Sequence, residues 1–223
     1  MVPTMVASRP AQQDGELRVL PASALKATQL HQVAEVYEQC FPAHLRVPFA
    51  PLATETQTDL MLVALADSLP VGFAANMRLG DAGWTFLRYY GVAASRRRQG
   101  LGLRFWRLVL PALAHAGWPV RVVFEVEDPR PVDCDPAEQR VRTGRIGFWE
   151  SCGARLLDID GYVMPDLTGL AGPEPMLLMA CSGNENRLTP DQTAELVTAL
   201  YGYRYGLRSG HPMVTNALAS IRR

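Results

Sequence analysis

The chain has 223 residues, of which 48% are hydrophobic and 20% charged, and its 22 basic and 22 acidic side chains give a formal net charge of zero. A chain of this length can bury a full core within one domain. Nucleic acid or an anionic membrane would favour a basic excess, so neither is expected as a partner, although a local anion site is compatible with this balance.

Cysteine and histidine positions argue against a disulfide framework and a metal site. The four cysteines are far apart and include no CxxC pair, and the four histidines show no ligand spacing. Residues 1–16 lack the apolar stretch of a secretory signal, and no run approaches the ~20 apolar residues of a membrane span. We therefore expect a soluble, cytoplasmic protein without a bound metal.

The first third of the chain predicts a strand, a helix and a loop. Residues 1–15 are polar and contain proline and glycine, which indicates a loose arm, and LRVL at 17–20 favours a first strand. Apolar residues at helical spacing predict a helix over 24–40, which ends before Pro42. Three prolines within 42–58 favour a loop with a short helix.

Three strands and a helix follow. DLMLVALAD at 59–67 and VGFAANMRL at 71–79 predict a hairpin, and WTFLRYYGV at 84–92 predicts a third strand. The next helix runs toward Gly117, and Pro111 is expected to kink it or to end it early because proline cannot donate the backbone hydrogen bond.

The last part of the chain alternates between strands and helices. The predicted strands are 120–128, 154–159 and 175–181, the last two separated by a loop rich in proline and glycine. A helix over 137–151 ends before Gly153, and a tail helix over 190–201 begins at a cap, Thr189 or Asp191.

This order, β-α-(α)-β-β-β-α-β-α-β-β, predicts an α/β fold with a mixed sheet and helices on both faces. We divide the chain into the arm (1–15), a domain over 16–183 and a C-terminal helical extension over 184–223 that packs on the domain. Capping an acceptor cleft and forming a homodimer contact are the alternative roles of the extension.

Residues 95–102, SRRRQGLG, place three arginines and two glycines between a predicted strand and a predicted helix. The first N–H groups of a helix have no intrahelical partner and carry the positive end of its dipole. Glycine lets an anion approach them, and arginine adds charge-assisted hydrogen bonds. The sequence therefore predicts a phosphate site, with a plain solvated turn as the alternative. The P-loop pattern is absent, and Phe105 stands where GxGxxG requires its third glycine.

These residues resemble the GNAT superfamily of acyl-CoA-dependent N-acyltransferases. The family pattern [QR]-x-x-G-x-[GA], between its fourth strand and the next helix, is met by RRQGLG at 97–102. Its second signature, a helix ending in a pattern like FYxxxGF, resembles RIGFWESCGARLLD at 145–158, with Gly153 in the place of the glycine. The resemblance covers roughly residues 17–182 and implies a GNAT-like mixed, mostly antiparallel sheet.

The resemblance implies a binding site for acetyl-CoA. Backbone groups of Val92 and Ala94 would pair with the acyl carbonyl and pantetheine, where the fourth strand separates from its neighbour. Main-chain N–H groups would hold the pyrophosphate, and these belong to Arg97, Arg98, Gln99, Gly100, Leu101, Gly102 and Leu103. The implied reaction moves an acetyl or similar acyl group from CoA to an amine, which attacks directly in a ternary complex.

One position departs from the family pattern. The tyrosine proposed to protonate the departing thiolate commonly stands four residues before the glycine, and here that position is Trp149, whose indole N–H is a very poor acid. Cys152 and Ser151 are near, but neither has a convincing role. An acid from another element, water or direct departure of the thiolate are the alternatives.

Two carboxylates are candidates for catalysis. Strand alternation in VRVVFEVED (120–128) places Glu125 and Glu127 on one face, opposite its apolar residues. They could bind a cationic amine, or one of them could take its proton. Glu127 is slightly preferred because it is nearer the strand end, where the cleft should open. One alternative is ion pairing with Arg121 or with the arginines of the next predicted helix, Arg140, Arg142 and Arg145. Tyr89 and Tyr90 on the neighbouring strand are alternative candidates, although aromatic residues there are more often core.

Two rival functions follow from the same residues. Trp149 in the tyrosine position favours a non-catalytic CoA-binding or regulatory module of the same fold. The other rival is an unrelated α/β protein that binds a different phosphorylated ligand. The acceptor is not encoded in a recognisable pattern, because the loops at 42–58, 129–137 and 160–174 that would select it carry none.

Overall fold

The computed structural model describes residues 16–130, 135–166, 172–183 and 187–222. The predicted arm, residues 1–15, lies outside these ranges, as do Cys134 and parts of the predicted loops at 129–137 and 160–174. All statements about the structure concern the described residues.

Eight strands make the sheet. They are β1 (Arg18–Pro21), β2 (Asp59–Ala66), β3 (Leu69–Arg78), β4 (Thr85–Val92), β5 (Val122–Glu127), β6 (Arg155–Leu156), β7 (Val163–Met164) and β8 (Glu174–Cys181). Their spatial order is β1-β2-β3-β4-β5-β8-β6, and β7 pairs with β8 off this path. The β4–β5 pair is parallel and the other pairs are antiparallel. The predicted mixed, mostly antiparallel sheet is confirmed.

Six α-helices accompany the sheet within the described ranges. They are α1 (Ala27–Cys40), α2 (Phe49–Ala53), α3 (Leu101–His115), α4 (Pro136–Ser151), α5 (Pro190–Ala199) and α6 (Pro212–Ala219). A π-helical turn, Leu200–Arg204, directly follows α5. The sequence predicted neither this turn nor α6.

Helices cover both faces of the sheet, as predicted. On the first face, Phe105 and Trp106 of α3 and Trp149 of α4 are buried against β5 residues such as Phe124. On the second face, α1 and α2 pack against β2, β3 and β4. The C-terminal elements α5, the π-turn and α6 cover the β5–β8 part of that second face, where Tyr201 is completely buried.

Pro111 does not end α3 early, so that part of the prediction was wrong. The helix continues without interruption to His115. Pro111 and Arg107, the residue four positions before it, are both exposed. Water can therefore donate a hydrogen bond to the Arg107 carbonyl in place of the missing Pro111 N–H, which lowers the cost of a proline at this position.

The predicted strand at 154–159 was largely wrong. Only Arg155 and Leu156 pair with β8, at the edge of the sheet. The chain then leaves the ladder: the Leu157 N–H still donates to the Leu178 carbonyl at 2.9 Å, but Ile159 forms an isolated bridge with Ile221 near the C-terminus. An apolar run in a loop that packs on a C-terminal helix has the same composition as a strand, which is why periodicity misassigned it.

The start of α5 provides a first testable prediction. The Thr189 hydroxyl accepts a hydrogen bond from the Gln192 N–H at 3.2 Å, and the Gln192 side chain accepts one from the Thr189 N–H at 2.8 Å. Because this capping box satisfies two orphan donors, Thr189→Ala is expected to lower the free energy of unfolding by about 1 kcal/mol. Urea unfolding measures the change. The exposed Ser209→Ala substitution is the control, and an equal loss in both variants would contradict the capping role.

Candidate active site

A gap opens between β4 and β5 in the middle of the sheet. The two strands pair only at Thr85↔Val122 and Phe86↔Val123, although β4 continues to Val92 and β5 to Glu127. A bulge in β4 accompanies the separation, because the register with β3 passes from Ala75↔Tyr89 to Asn76↔Leu87 and leaves Arg88 unmatched. A bulge bends its strand and increases the local twist, so β4 diverges from β5.

Backbone groups of β4 face this gap. The Ala93 N–H donates a hydrogen bond to the carbonyl of Val71 in β3 at 2.9 Å. Since neighbouring residues of an antiparallel ladder point in alternate directions, the N–H and C=O of Val92 point away from β3, toward the gap. The Val92 carbonyl accepts a hydrogen bond from Arg97 Nε at 3.1 Å. The Val92 N–H points into the gap between β4 and β5, where it could donate a hydrogen bond to the carbonyl of a ligand.

The loop between β4 and α3 carries a row of free backbone donors. Within the described part of the chain, the N–H groups of residues 98–103 have no hydrogen-bond acceptor, and the first α3 bond is from the Arg104 N–H to the Gly100 carbonyl at 3.1 Å. Residues 97–100 are exposed. At the predicted phosphate site, therefore, the described part of the protein does not hydrogen-bond to the backbone N–H groups of the loop.

Two residues of this loop have left-handed backbone conformations. Gly100 is the N-cap of α3 with φ 75°, and Arg98 has φ 60°. An ideal Cβ at Gly100 would meet no heavy atom within 4 Å. Glycine is favoured there by its backbone angle, and the space above it is open for an anion.

Gly102 has a different role from Gly100. A Cβ at this position would lie 3.2 Å from Phe148 of α4, and the Gly102 carbonyl accepts a hydrogen bond from the Tyr90 hydroxyl at 2.6 Å. The absence of a side chain thus lets α3 approach α4 closely. The sequence assigned Gly102 to the anion alone.

Two polar side chains of the loop, Arg97 and Gln99, turn back toward the protein. Arg97 donates from Nε to Val92 and lies with its Nη2 3.3 Å from the sulfur of Cys40, while Gln99 donates to the Ser95 carbonyl at 3.2 Å. Ala94 begins a 3-10 turn, and Leu101 is buried in the core. Leu103 is half-buried on the first turn of α3. Main-chain donors, rather than these side chains, face the open side of the loop.

Trp149 is a core residue. Its ring centroid lies 4.3 Å from that of Phe124 and 5.0 Å from that of Trp106. Burial raises the pKa of the nearby Cys152 thiol to about 11, although the Ser151 hydroxyl and Arg107 oppose the shift. The raised pKa makes the Cys152 thiol a weaker acid than usual, and the Trp149 indole is a very poor acid.

Glu127 lies at the end of β5 and forms an ion pair with Arg145 of α4. This is the pairing that the sequence offered as the alternative to catalysis. About a fifth of the Glu127 side chain is exposed (22%) and nearly half of Arg145 (46%), so the pair lies at the surface. Such a pair contributes little to stability and holds Glu127 in a direction set by α4.

Glu125 lies two residues beyond Val123, the last β5 residue that pairs with β4, and it is partly buried. Two hydroxyl groups donate to its Oε1 atom: Tyr162 at 2.5 Å and Tyr205 at 2.6 Å. Burial raises the pKa of the Glu125 carboxyl, while the two hydroxyl groups and the charge of Arg204 oppose the shift. Among the described residues, none donates to Oε2.

Tyr162 and Tyr205 were missed by sequence reasoning. Tyr162 comes from the loop before β7, and Tyr205 follows the π-turn in the C-terminal extension. Both are far in sequence from Glu125, with separations of 37 and 80 residues. The tyrosine-rich segment YGYRYG (201–206) is a signal in the sequence, but its pattern predicts only packing on the sheet, a cap over the acceptor cleft or a dimer contact.

A cavity among the described residues lies away from this gap. It has a volume of about 410 Å³ and is lined by residues of the α4 end, β6 and the start of α5, including Glu150, Leu156 and Thr193. No described group of three or more His, Cys, Asp or Glu residues has an arrangement that could hold a metal. No described helix is long and apolar enough to cross a membrane.

The parallel strands β4 and β5 separate at a bulge, and a glycine-containing loop with free N–H groups follows at the start of α3. These two features together define a class of fold. It is the fold of the GNAT acetyltransferases, and comparison with solved structures confirms the predicted resemblance at the level of the fold. No protein-family model matches the chain, and no curated protein matches it by sequence.

Three solved structures illustrate the likeness. A GNAT-family protein from Bacteroides thetaiotaomicron is 19% identical, with a TM-score of 0.65 over 86% of this chain and 99% of that chain. An aminoglycoside 6'-N-acetyltransferase in complex with coenzyme A is 17% identical, with a TM-score of 0.54 over 73% of this chain and 95% of that chain. The GNAT-like decarboxylase GphF, in complex with isobutyryl-CoA, is 20% identical, with a TM-score of 0.52 over 74% of this chain and 98% of that chain.

Proposed function

We propose that this protein is a GNAT-type N-acyltransferase that moves an acetyl or similar acyl group from acyl-CoA to an amine. The observation that carries the proposal is the row of free N–H groups over residues 98–103, which lies at the end of the strand that borders the gap. Related folds that hold coenzyme A or an acyl-CoA support it. The pyrophosphate of CoA would accept hydrogen bonds from these donors, aided by the positive end of the α3 dipole.

The thioester would lie along β4. Pantetheine would follow the gap from the loop toward the bulge, with Val92 and Ala94 offering backbone groups beside it. The acyl carbonyl would accept a hydrogen bond from the Val92 N–H. In a site without bulk water, such a donor stabilises the negative charge that develops on the oxygen when an amine attacks.

We assign the general base to Glu125. The sequence slightly favoured Glu127, but Arg145 already pairs with that carboxylate, whereas Glu125 has a free oxygen and lies next to the gap. The attacking nitrogen would form a bond to the thioester carbon, and its proton would pass to Glu125 directly or through one water. The C–S bond then breaks, and the CoA thiolate takes a proton from solvent, because Trp149 cannot supply one.

Binding and turnover test this proposal separately. Calorimetry with CoA, and with ATP and NAD as controls, asks which phosphorylated ligand the loop accepts, and tight binding of ATP or NAD in preference to CoA would contradict it. Release of free thiol from acetyl-CoA, measured with a library of amines, then tests transfer. An amine that accelerates thiol release is the expected result.

Trp149 supports one second candidate, a CoA-binding module that performs no transfer. In that case CoA would bind, but no amine in the library would accelerate thiol release. The two candidates are therefore distinguished by the dependence of thiol release on the amine, at equal occupancy by acetyl-CoA.

A further inference from the structure

Two arginines lie on the second face of the sheet beside Glu125. Arg88 is the unmatched residue of the β4 bulge, and its guanidinium donates to Asp59 at 2.9 Å. Only 15% of its side chain is exposed, and its Nε atom is buried without a hydrogen-bond partner. Asp59, at the start of β2, balances the charge of Arg88.

Arg204, the last residue of the π-turn, has no such direct ion pair among the described residues, although its charge acts on the nearby Glu125 carboxyl. Its guanidinium carbon lies 5.8 Å from the ring centre of Phe86 and 5.2 Å from that of Tyr205. Within the described ranges, no acceptor is hydrogen-bonded to this guanidinium and no carboxylate forms an ion pair with it, and its Nε atom is buried. The charge stands between aromatic rings rather than against an anion.

The position of Arg204 relates it to the proposed base. It lies over Phe86, where β4 and β5 still pair, and over Tyr205, whose hydroxyl holds Glu125 at 2.6 Å. Its charge lowers the pKa of Arg88, where burial is the larger cause, and it opposes the raised pKa of Glu125. Arg88, Arg204 and Glu125 therefore form one electrostatic cluster on the second face of the sheet, beside the gap.

Arg204 is partly buried, and only its Nε atom is both buried and without a hydrogen-bond partner, so its guanidinium is still accessible to a ligand. Removing a guanidinium from water without a partner disfavours folding, and two neighbouring cations repel each other. Contacts with the rings of Phe86 and Tyr205 offset part of this cost. Arginine presents its donors in a planar fork that matches a carboxylate. A direct ion-pair partner for Arg204 is thus best supplied by a ligand that brings an anion.

We propose that the acceptor is an amine that carries a carboxylate, as amino acids do, and that Arg204, with Arg88 beside it, binds this carboxylate. This proposal rests on the proposed acyltransferase function. It places the acceptor's amine toward Glu125 and its carboxylate toward the arginines. A carboxylate fits better than a phosphate or phosphonate, because Glu125 and Asp59 would repel a dianion more strongly than a monoanion.

The test compares matched acceptors. Each of the 20 standard amino acids is offered to the wild-type enzyme with acetyl-CoA, together with its carboxamide, its methyl ester and its aminophosphonate. For the preferred side chain, we expect the free acid to have at least ~10-fold higher kcat/KM than the three analogues, since each lost charged hydrogen bond reduces binding by about that factor or more.

Variants link this preference to Arg204. We expect Arg204→Met to raise KM for the free acid about 10- to 100-fold. The same variant should leave KM for acetyl-CoA and for the carboxamide nearly unchanged, and Arg204→Lys should restore part of the loss. Arg208→Met, an exposed position four residues later in the chain, is the matched control and should have no effect on the preference.

The outcomes separate this proposal from the proposed function. Equal or faster turnover of amides, esters or phosphonates, or a preference for the free acid that survives Arg204→Met, overturns the carboxylate proposal and leaves the acyltransferase function in place. Acceptance of simple polyamines alone also overturns it. Binding of acetyl-CoA with no transfer to any amine overturns both.

Discussion

The Gly100→Trp substitution is expected to reduce CoA affinity at least ~100-fold, because the indole would cover the amides that bind the pyrophosphate, and each lost charge-assisted hydrogen bond weakens binding by ~1.5–3 kcal/mol. The protein should still fold. A Cβ at Gly100 would meet no heavy atom within 4 Å, and the residue is exposed at the N-cap of α3. Calorimetric titration with CoA measures the affinity, and circular dichroism during heating measures the folded state.

Backbone strain requires its own control. Gly100 has φ 75°, so any other residue costs about 1–2 kcal/mol whatever its size. Gly100→Ala carries this strain without the bulk of the indole, and we expect it to bind CoA within about tenfold of the wild type. Retained affinity in Gly100→Trp would show that the pyrophosphate does not bind at this loop. Equal losses in both variants would attribute the effect to loop distortion instead.

The loop could be predicted from sequence because its chemistry is local. Glycine before an apolar helix and arginines after a strand define an open helix start within eight residues, 95–102. The alternation of β2, β3 and β4 was equally local, and their predicted bounds agree with the structure to within about two residues. In each case, the pattern and the structure that it encodes lie within one segment.

Contacts between distant segments could not be predicted in this way. Gly102 was assigned to the anion, but its closest neighbour is Phe148, 46 residues later in the chain. The hydroxyl donors to Glu125 come from a short loop and from the segment after the π-turn, which no periodicity connects to β5. A single sequence gives the chemical type of such residues, but only the packing of the C-terminal elements on the sheet brings them together.

The choice between the two carboxylates illustrates the same limit. Strand alternation placed Glu125 and Glu127 on one face and could not distinguish them. Arg145 on α4 and Tyr205 after the π-turn make the difference, since one pairs with Glu127 and the other donates to Glu125. Proximity to the strand end, the reason for preferring Glu127, brings a residue closer to surface arginines as well as to a cleft.

The Glu125→Gln substitution is expected to lower kcat about 100-fold or more with a good amine acceptor, the usual cost of removing a general base. Glutamine keeps the size of the side chain and can still accept hydrogen bonds from Tyr162 and Tyr205, so KM for acetyl-CoA should not change. Glu127→Gln is the comparison, and we expect it to lower kcat less than tenfold because Arg145 already holds that carboxylate at the surface. The reverse order of the two losses would move the base to Glu127.

The pH dependence follows from the raised pKa of Glu125. A base must be deprotonated, so the wild-type rate should rise with pH through this pKa, above the ordinary glutamate value of about 4.3. The inflection should be absent in Glu125→Gln. A rate profile with the same inflection in both forms would exclude Glu125 as the titrating base.

Stability should change in the opposite direction from activity. Below the ordinary glutamate pKa, Glu125 is protonated in both the native and the unfolded state. As pH rises from there to the raised native pKa, the unfolded state releases its proton first, so the wild type loses stability relative to a neutral side chain. Glu125→Gln should therefore unfold at higher urea concentration than the wild type at neutral pH, and this difference should disappear near pH 4. If Glu125→Gln is less active but more stable, the carboxylate serves catalysis at a cost to folding. If Glu125→Gln is both less active and less stable, Glu125 has a structural role alone.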